Sequence, residues 1–267
     1  MPTSADHSRR PHQERKIAES FGSDAERYDR TRPAYPEDLI ARILSTAPGP
    51  DVLDVGCGTG IQARQLQAIG GRVLGVEPDA RMAAHAHSLG LEVEEATFED
   101  WDAAGRRFDA VIAAQAWHWV DPTAGAAKVK TVLRPGGLFV AFWHVFDAPE
   151  PISAALVEAV REVVPDLPFD PAALARADKA YEKGAVTTGE RFGEVGGFGE
   201  PELWRFPWER RYTREEWLDF LPTQGFLTRL TTEQRAPILE AVGDAMDDLG
   251  GSFVLNTVTI GLAVRRS

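Results

Sequence analysis

Apolar residues recur along the chain with two alternating periods. Val52, Leu53 and Val55 are apolar at neighbouring positions, which predicts a short strand buried on both faces. Similar runs predict strands over residues 72–78, 91–96, 108–114, 138–145, 202–212 and 252–265, seven in all. The fifth is nearly all apolar and is expected at the centre of the sheet; the last is a long β-branched run. Between them, apolar positions at helical spacing predict helices over residues 38–44, 61–69, 79–89, 123–133, 152–163, 171–181, 214–220 and 233–249. Thr213 and Glu216 form a capping box for the helix that runs through Trp217 and Phe220. Strands alternating with helices predict an α/β protein with a mostly parallel sheet.

Punctuation sharpens this pattern. Gly56, Gly58 and Gly60 follow the first strand on alternate positions and open a helix, a turn that presents backbone amides to a ligand. The spacing differs from the dinucleotide fingerprint G-x-G-x-x-G, because the glycine after Gly58 comes two residues later and not three. Pro33 and Pro36 forbid continuous helix ahead of the first strand. Arg134-Pro135-Gly136-Gly137 predicts a sharp turn before the fifth strand. From Pro149 to about Glu200 the pattern becomes helical and then glycine-rich, which reads as an insertion between strands five and six.

Composition narrows the class. A chain of 267 residues with 43% hydrophobic content can bury a sizeable core. The net charge of −12 argues against a nucleic-acid surface. One cysteine, Cys57, excludes an internal disulfide and a cysteine-rich metal site, and fits a reducing, cytoplasmic location. No apolar run is long enough to span a membrane, and no apolar segment follows the basic N-terminal residues, so neither a membrane anchor nor a secretory signal is expected. His85 and His87 lie two apart on one helix and share no face, and no other ligand spacing suggests a metal.

The string Asp54-Val55-Gly56-Cys57-Gly58-Thr59-Gly60 resembles motif I of class I S-adenosylmethionine-dependent methyltransferases. Glu77, at the end of the second strand, falls where that family places an acid for the ribose hydroxyls. The string from Phe21 through Tyr28 to Arg32-Pro33-Ala34-Tyr35-Pro36 resembles the N-terminal lid of a branch that includes small-molecule methyltransferases of the trans-aconitate type. Gln115-Ala116-Trp117-His118-Trp119 resembles the motif that follows that branch's fourth strand. The likeness spans Phe21 to Arg265.

It implies a Rossmann-like class I methyltransferase fold: a seven-stranded, mostly parallel sheet with an antiparallel last strand, an N-terminal lid and a helical cap insertion. The implied parts are a mobile tail over 1–14, a lid over 15–46, a cofactor-binding core over 47–148, a cap over 149–200, and the rest of the core over 201–267. S-adenosylmethionine is the implied cofactor, held by Tyr28, Arg32, Asp54, Gly56, Cys57, Gly58, Thr59, Gly60, Glu77, Pro78, Met82, Phe98, Glu99 and Gln115. Thr97 stands where many relatives carry an adenine-binding aspartate, a departure from the pattern. Arg32 has two possible partners, the carboxylate of the cofactor or that of a substrate. Tyr35, Trp117, His118, Trp119 and Trp143 are the implied substrate residues. Phe146 and the connection through Gln224, Gly225 and Phe226 are further contributors to the pocket. His118, and after it His144, are candidates for a general base or a substrate positioner, although a carboxylate acceptor is already ionised and needs no base. The expected acceptor is a small molecule methylated at a carboxylate or hydroxyl, with no nucleic acid or membrane partner and a monomer or homodimer as the assembly. Two other readings stay open: a protein that binds the cofactor without catalysis, and a nicotinamide-dependent oxidoreductase.

Overall fold

The computed structural model describes residues 19–165 and 177–267. The expected tail over 1–14, the start of the lid and part of the insertion lie outside the described residues. Seven strands make one sheet in the order β3-β2-β1-β4-β5-β7-β6. They are β1 (Asp51–Val55), β2 (Arg72–Glu77), β3 (Glu92–Glu95), β4 (Phe108–Ala114), β5 (Leu133–Asp147), β6 (Glu202–Thr213) and β7 (Ser252–Arg265). β1 pairs in parallel with both β2 and β4: Val52 lies opposite Val73 on one side and Ala110 on the other. β7 alone runs against its neighbours, pairing antiparallel with β5 and with β6.

The helices are α1 (Ala25–Thr31), α2 (Glu37–Thr46), α3 (Ile61–Ala68), α4 (Ala80–Ser88), α5 (Pro122–Val132), α6 (Glu150–Val163), α7 (Ala177–Val195), α8 (Arg214–Phe220) and α9 (Thr232–Asp248). Short 3-10 turns cover Glu19–Asp24, Trp117–Trp119, Leu221–Thr223 and Gly225–Arg229. Leu53, Val55, Phe139 and Ala141 pack into one hydrophobic cluster, while Val52, Val140 and Phe142 pack into another. Alternate residues of one strand thus feed opposite layers, which is why these strands are apolar throughout.

A third cluster joins α6, α8 and α9 to the ends of β6 and β7, through Val160, Tyr212, Trp217, Phe220, Ile238, Val242 and Phe253. It sits beyond the carboxyl ends of the central strands. In open α/β sheets ligands bind at those ends, where the strand order reverses. Here the reversal falls between β1 and β4.

Two expectations are corrected. Arg134 to Gly137 does not precede the fifth strand; it lies inside β5 as an irregularity, since Phe108 pairs with Leu133 and Ala110 with Leu138. Gly136 there has φ +75° and donates its amide to the Arg266 carbonyl, while Arg134 pairs with Asp51 and Asp109. The insertion after β5 also divides in two. α6 packs against α9 over the strand ends, whereas α7 packs against α5, β5 and β7 on a sheet face. Ala185 and Phe192 of α7 are fully buried in the first cluster, so only one half of the insertion stands over the strand ends.

Candidate functional site

A cavity of about 850 Å³ opens where β1, β2 and β4 end. One wall is the glycine turn. Gly56, Gly58 and Gly60 have φ of +65°, +57° and +83°, all in the left-handed region that favours glycine. A Cβ on Gly56 would lie 2.6 Å from the Ala116 Cβ. A Cβ on Gly58 would meet no protein atom within 4 Å, because it would enter the cavity. The missing side chain therefore leaves a cradle against the backbone.

Glu77 closes this wall. Its Oε2 accepts the Gly58 amide and its Oε1 the Asp79 amide, each at 2.9 Å. Burial pushes its carboxyl up to about 7, against the two amide bonds that favour the ionised form. Pro78, Met82, Thr97, Phe98 and Glu99 continue the lining. Thr97 Oγ1 bonds Asp100 at 2.8 Å, and Glu99 accepts the Asp121 amide at 2.7 Å.

Asp54, Cys57, Thr59 and Gly60 lie behind the turn, outside the lining of the large cavity. The Asp54 Oδ2 accepts from Gln62 at 2.7 Å, and burial lifts its carboxyl to about 7. Asp54 Oδ1 and Thr59 Oγ1 are buried without a partner. A recess of about 30 Å³, lined by Gln62, Cys57, Thr59 and Tyr35, adjoins them.

β4 delivers the second wall. Gln115 takes φ +56° just past the strand, an uncommon conformation for a residue with a Cβ. Its amide bonds the Phe142 carbonyl at 2.9 Å, and its side chain lines the cavity. Such held strain often marks functional sites. The next residues form a 3-10 turn, whose three residues per turn send consecutive side chains in three directions. His118 and Trp119 face the cavity. Trp117 turns into the core, 4.5 Å from the Phe139 ring, and is not part of the lining.

Strand alternation separates the next pair. His144 reaches the cavity, while Trp143 faces the other layer and meets the lining through His118 and the Tyr181 ring. The Trp143 Nε1 donates to His118 Nδ1 at 3.3 Å. Burial lowers the basicity of His118 to about 4 and, with Arg32 nearby, that of His144 to about 3.

The lid forms the third wall. Phe21, Tyr28 and Arg32 line the cavity; Tyr35 is buried, stacked 4.4 Å from the His144 ring. The Gln65 side chain exchanges two hydrogen bonds with the Tyr35 backbone, at 3.0 and 2.8 Å, which fixes the segment that the prolines keep out of helix. Arg32 bonds the Thr223 carbonyl and lies 4.7 Å from the Tyr28 ring and 5.5 Å from the Phe220 ring. Opposite the glycine turn, Ile152, Leu156, Trp217, Leu221, Gln224 and Leu227 complete the enclosure. Of these, the sequence points only to Gln224, beside Gly225, as a pocket residue. Trp217 lies inside a capped amphipathic helix, where nothing local separates it from a core residue.

Residues 53–141 match the family model described as a methyltransferase domain. Over this stretch, from β1 into β5, the chain is similar to methyltransferase domains. It is similar to an uncharacterized methyltransferase of Mycobacterium tuberculosis, 39% identical over 140 residues that cover 50% of this chain and 55% of that protein. It is also similar to a ubiquinone biosynthesis O-methyltransferase of a Methylobacterium species, 36% identical over 129 residues covering 43% and 52%. The chain thus spans about half the length of these curated relatives. A structure described as a type II methyltransferase candidate from Anaeromyxobacter dehalogenans superposes with a TM-score of 0.61. It is 24% identical and covers 88% of this chain and 96% of that one, a likeness of fold. Among the described residues no helix is long and apolar enough to cross a membrane, and no group of three or more His, Cys, Asp or Glu could hold a metal.

Proposed function

We propose that the protein is an S-adenosylmethionine-dependent methyltransferase that methylates an oxygen of a small molecule. The observation that carries this reading is the cradle at Gly58, open to the cavity, with the Glu77 carboxylate bonded to its amide. The cofactor supplies a methyl group on a cationic sulfur, already electrophilic and open to in-line displacement. Glu77 keeps lone pairs free to accept the ribose hydroxyls. Met82 and Phe98 offer an apolar slot for a base. Gly56, Gly58 and Gln115 would border the methionine portion, with Asp54 buried behind the glycine turn. The lid and the segment 217–227 exclude water and align the acceptor, which is most of what such a displacement requires of a protein. The named ubiquinone O-methyltransferase relative supports oxygen as the acceptor atom.

Calorimetry with S-adenosylmethionine, S-adenosylhomocysteine and NAD in parallel tests the cofactor. Binding of the first two without NAD is the expected result; tight NAD binding alone would restore the oxidoreductase reading. A screen of carboxylic acids, phenols and amines, read by S-adenosylhomocysteine formation, then separates an enzyme from a silent binder.

A further inference from the structure

We propose that the methyl acceptor is a carboxylate on an apolar stem, held by a cluster of hydrogen-bond donors, and that His118 acts there as a donor and not as a general base. The inference rests on the methyltransferase reading and deepens it.

The first observation is a proton assignment. An indole N–H can only donate. The bond from Trp143 Nε1 therefore requires His118 Nδ1 to be the accepting nitrogen. A neutral imidazole then carries its hydrogen on Nε2. That nitrogen has no partner among the described residues, and His118 lines the cavity. His118 presents a hydrogen to the acceptor, where a general base would need a lone pair. His144, the other imidazole, has its Nδ1 2.9 Å from Thr259 Oγ1, which also accepts from Trp208 Nε1. Burial and the Arg32 guanidinium leave His144 far too weakly basic to take a proton from a hydroxyl or an ammonium.

The second observation is a set of unused donors. Arg32 Nε, Trp217 Nε1 and Gln224 Nε2 are buried and unpartnered, and all three residues line the cavity. Their residues lie on adjoining elements: Arg32 bonds the Thr223 carbonyl, one residue before Gln224, and both the Arg32 guanidinium and the Trp217 ring pack against Phe220. Arg32 is the lysine or arginine of the lining, and among the described residues it has no carboxylate partner. Buried donors left unmade are costly, and charge-assisted bonds to an anion are the strongest remedy. A group with two accepting oxygens and no hydrogen of its own matches them. A hydroxyl accepts at a single uncharged oxygen and brings a hydrogen of its own, and an ammonium accepts nothing.

The rest of the wall fixes the stem. Ile152, Leu156, Val157, Leu221 and Leu227 are apolar. Asp147 and Glu150 also line the cavity but are exposed at its rim, so an anionic head is directed inward and the stem lies along α6. In the reaction a carboxylate oxygen forms the new bond to the methyl carbon. The carbon–sulfur bond breaks, its electron pair stays on sulfur, and no proton moves. The products are a methyl ester and a neutral thioether.

The test uses the full chain saturated with S-adenosylhomocysteine and the probes hexanoate, octanoate and decanoate, with octanol and octylamine as neutral and cationic counterparts. At least one carboxylate should bind more than tenfold tighter than octanol or octylamine, because charged hydrogen bonds distinguish them. Gln224→Leu should remove that preference without changing S-adenosylhomocysteine affinity. In turnover with the best carboxylate, His118→Gln, which keeps an N–H, should stay within about tenfold of the parent, and His118→Phe should lose more than a hundredfold. With S-adenosylmethionine kept saturating at every pH, the rate should be level between about pH 6 and pH 9, where the acceptor is already ionised. Octanol or octylamine binding as tightly as the acids, or no acid binding at all, would overturn the proposal. So would a His118→Gln variant as inactive as His118→Phe. Failure to bind S-adenosylhomocysteine would instead sink the cofactor reading, and is seen before any probe is added.

Discussion

The two walls of the cavity rest on different foundations. The wall with Gly56, Gly58, Glu77 and Gln115 is the rim of the parallel sheet, whose strands are clamped between two hydrophobic layers. The opposite wall, with Ile152, Trp217 and Leu227, stands on the third cluster, built from α6, α8, α9 and the ends of β6 and β7. The first positions ligand atoms with backbone amides and with turns that only glycine adopts comfortably. The second positions them with side chains on helices that connect to the sheet through its antiparallel edge. Backbone geometry serves one constant ligand; side chains can be exchanged to suit a variable one. If the division is real, substitutions on one wall should leave binding to the other unchanged.

The strongest way to break it is Gly58→Val. A β-branched residue at φ +57° costs about 1–2 kcal/mol in backbone strain, and its methyl groups would fill the cradle. S-adenosylhomocysteine affinity by calorimetry should fall more than about a hundredfold, or roughly 2.8 kcal/mol. Octanoate binding should persist, and circular dichroism should show a folded chain. Undiminished cofactor affinity would mean that the cradle is not the site.

A second test uses protons. The Glu77 carboxyl is lifted by burial from 4.5 to about 7, so the folded protein without ligand holds a proton that the unfolded chain releases. That contribution to stability is present below about pH 4.5 and is lost as pH rises towards 7. Hydroxyls donated by a ligand favour the ionised form and reverse the preference. S-adenosylhomocysteine binding should therefore release a proton near pH 6, with affinity falling by up to about tenfold per unit below pH 7. Calorimetry in buffers of different ionisation heat measures the release, and Glu77→Gln should abolish it. A full release in that variant would assign the proton to another group, Asp54 being the first to examine.

The same division explains what could be read from the chain beforehand. The glycine turn and Glu77 are legible because their positions follow from strand, turn and helix within 24 residues of sequence, from Asp54 to Glu77. His118 and Trp119 were likewise legible as residues at a strand end. Trp117 and Trp143 stood in equally suggestive places, yet both side chains turn away from the cavity, Trp117 by the three-fold phase of a 3-10 turn and Trp143 by strand alternation. A sequence shows such phases only if the register is known. Trp217 was illegible for another reason. It reaches the cavity because β6 crosses back along β7 and drops α8 beside the lid, a contact between residues about 190 apart. The two halves of the insertion looked alike as amphipathic helices; only their packing partners distinguish α6 over the strand ends from α7 on the sheet face.

A smaller effect asks which wall the lid belongs to. Asp29 of α1 pairs with Arg64 of α3 at 2.8 Å, and Arg64 also bonds the Thr59 carbonyl at 2.7 Å. Both charged ends are partly exposed, so the pair contributes about 0.3–1 kcal/mol and is screened by salt. Asp29→Ala should weaken S-adenosylhomocysteine binding a few-fold, less at high salt, by freeing the lid from the glycine-turn helix. Yet Arg27 and Arg30 tie the same lid to Asp219 of α8 at 2.8 and 2.7 Å. If Asp29→Ala disturbs octanoate binding more than cofactor binding, the lid belongs to the acceptor wall and the division must be redrawn.

The smallest effect tests whether the acceptor wall can loosen by itself. Thr231 caps α9: its Oγ1 accepts the Gln234 amide at 3.3 Å, and the Gln234 side chain returns a bond from the Thr231 amide at 3.0 Å. Pro237 lies inside the same helix and withholds one backbone donor from its second turn, so the cap secures an N-terminal half that is already short of hydrogen bonds. α9 packs against α6 and contributes Ile238, Val242 and Met246 to the third cluster. Thr231→Ala should cost about 1 kcal/mol and lower the melting temperature by about 2–4 °C. S-adenosylhomocysteine affinity should be unchanged, because no residue of α9 lines the cavity and the sheet layers are untouched. Hydrogen exchange should quicken in α9 and α6 and stay the same in β1 and β4. Equal quickening in all four would show that the third cluster and the sheet unfold as one unit, and that the acceptor wall has no independent freedom to adapt.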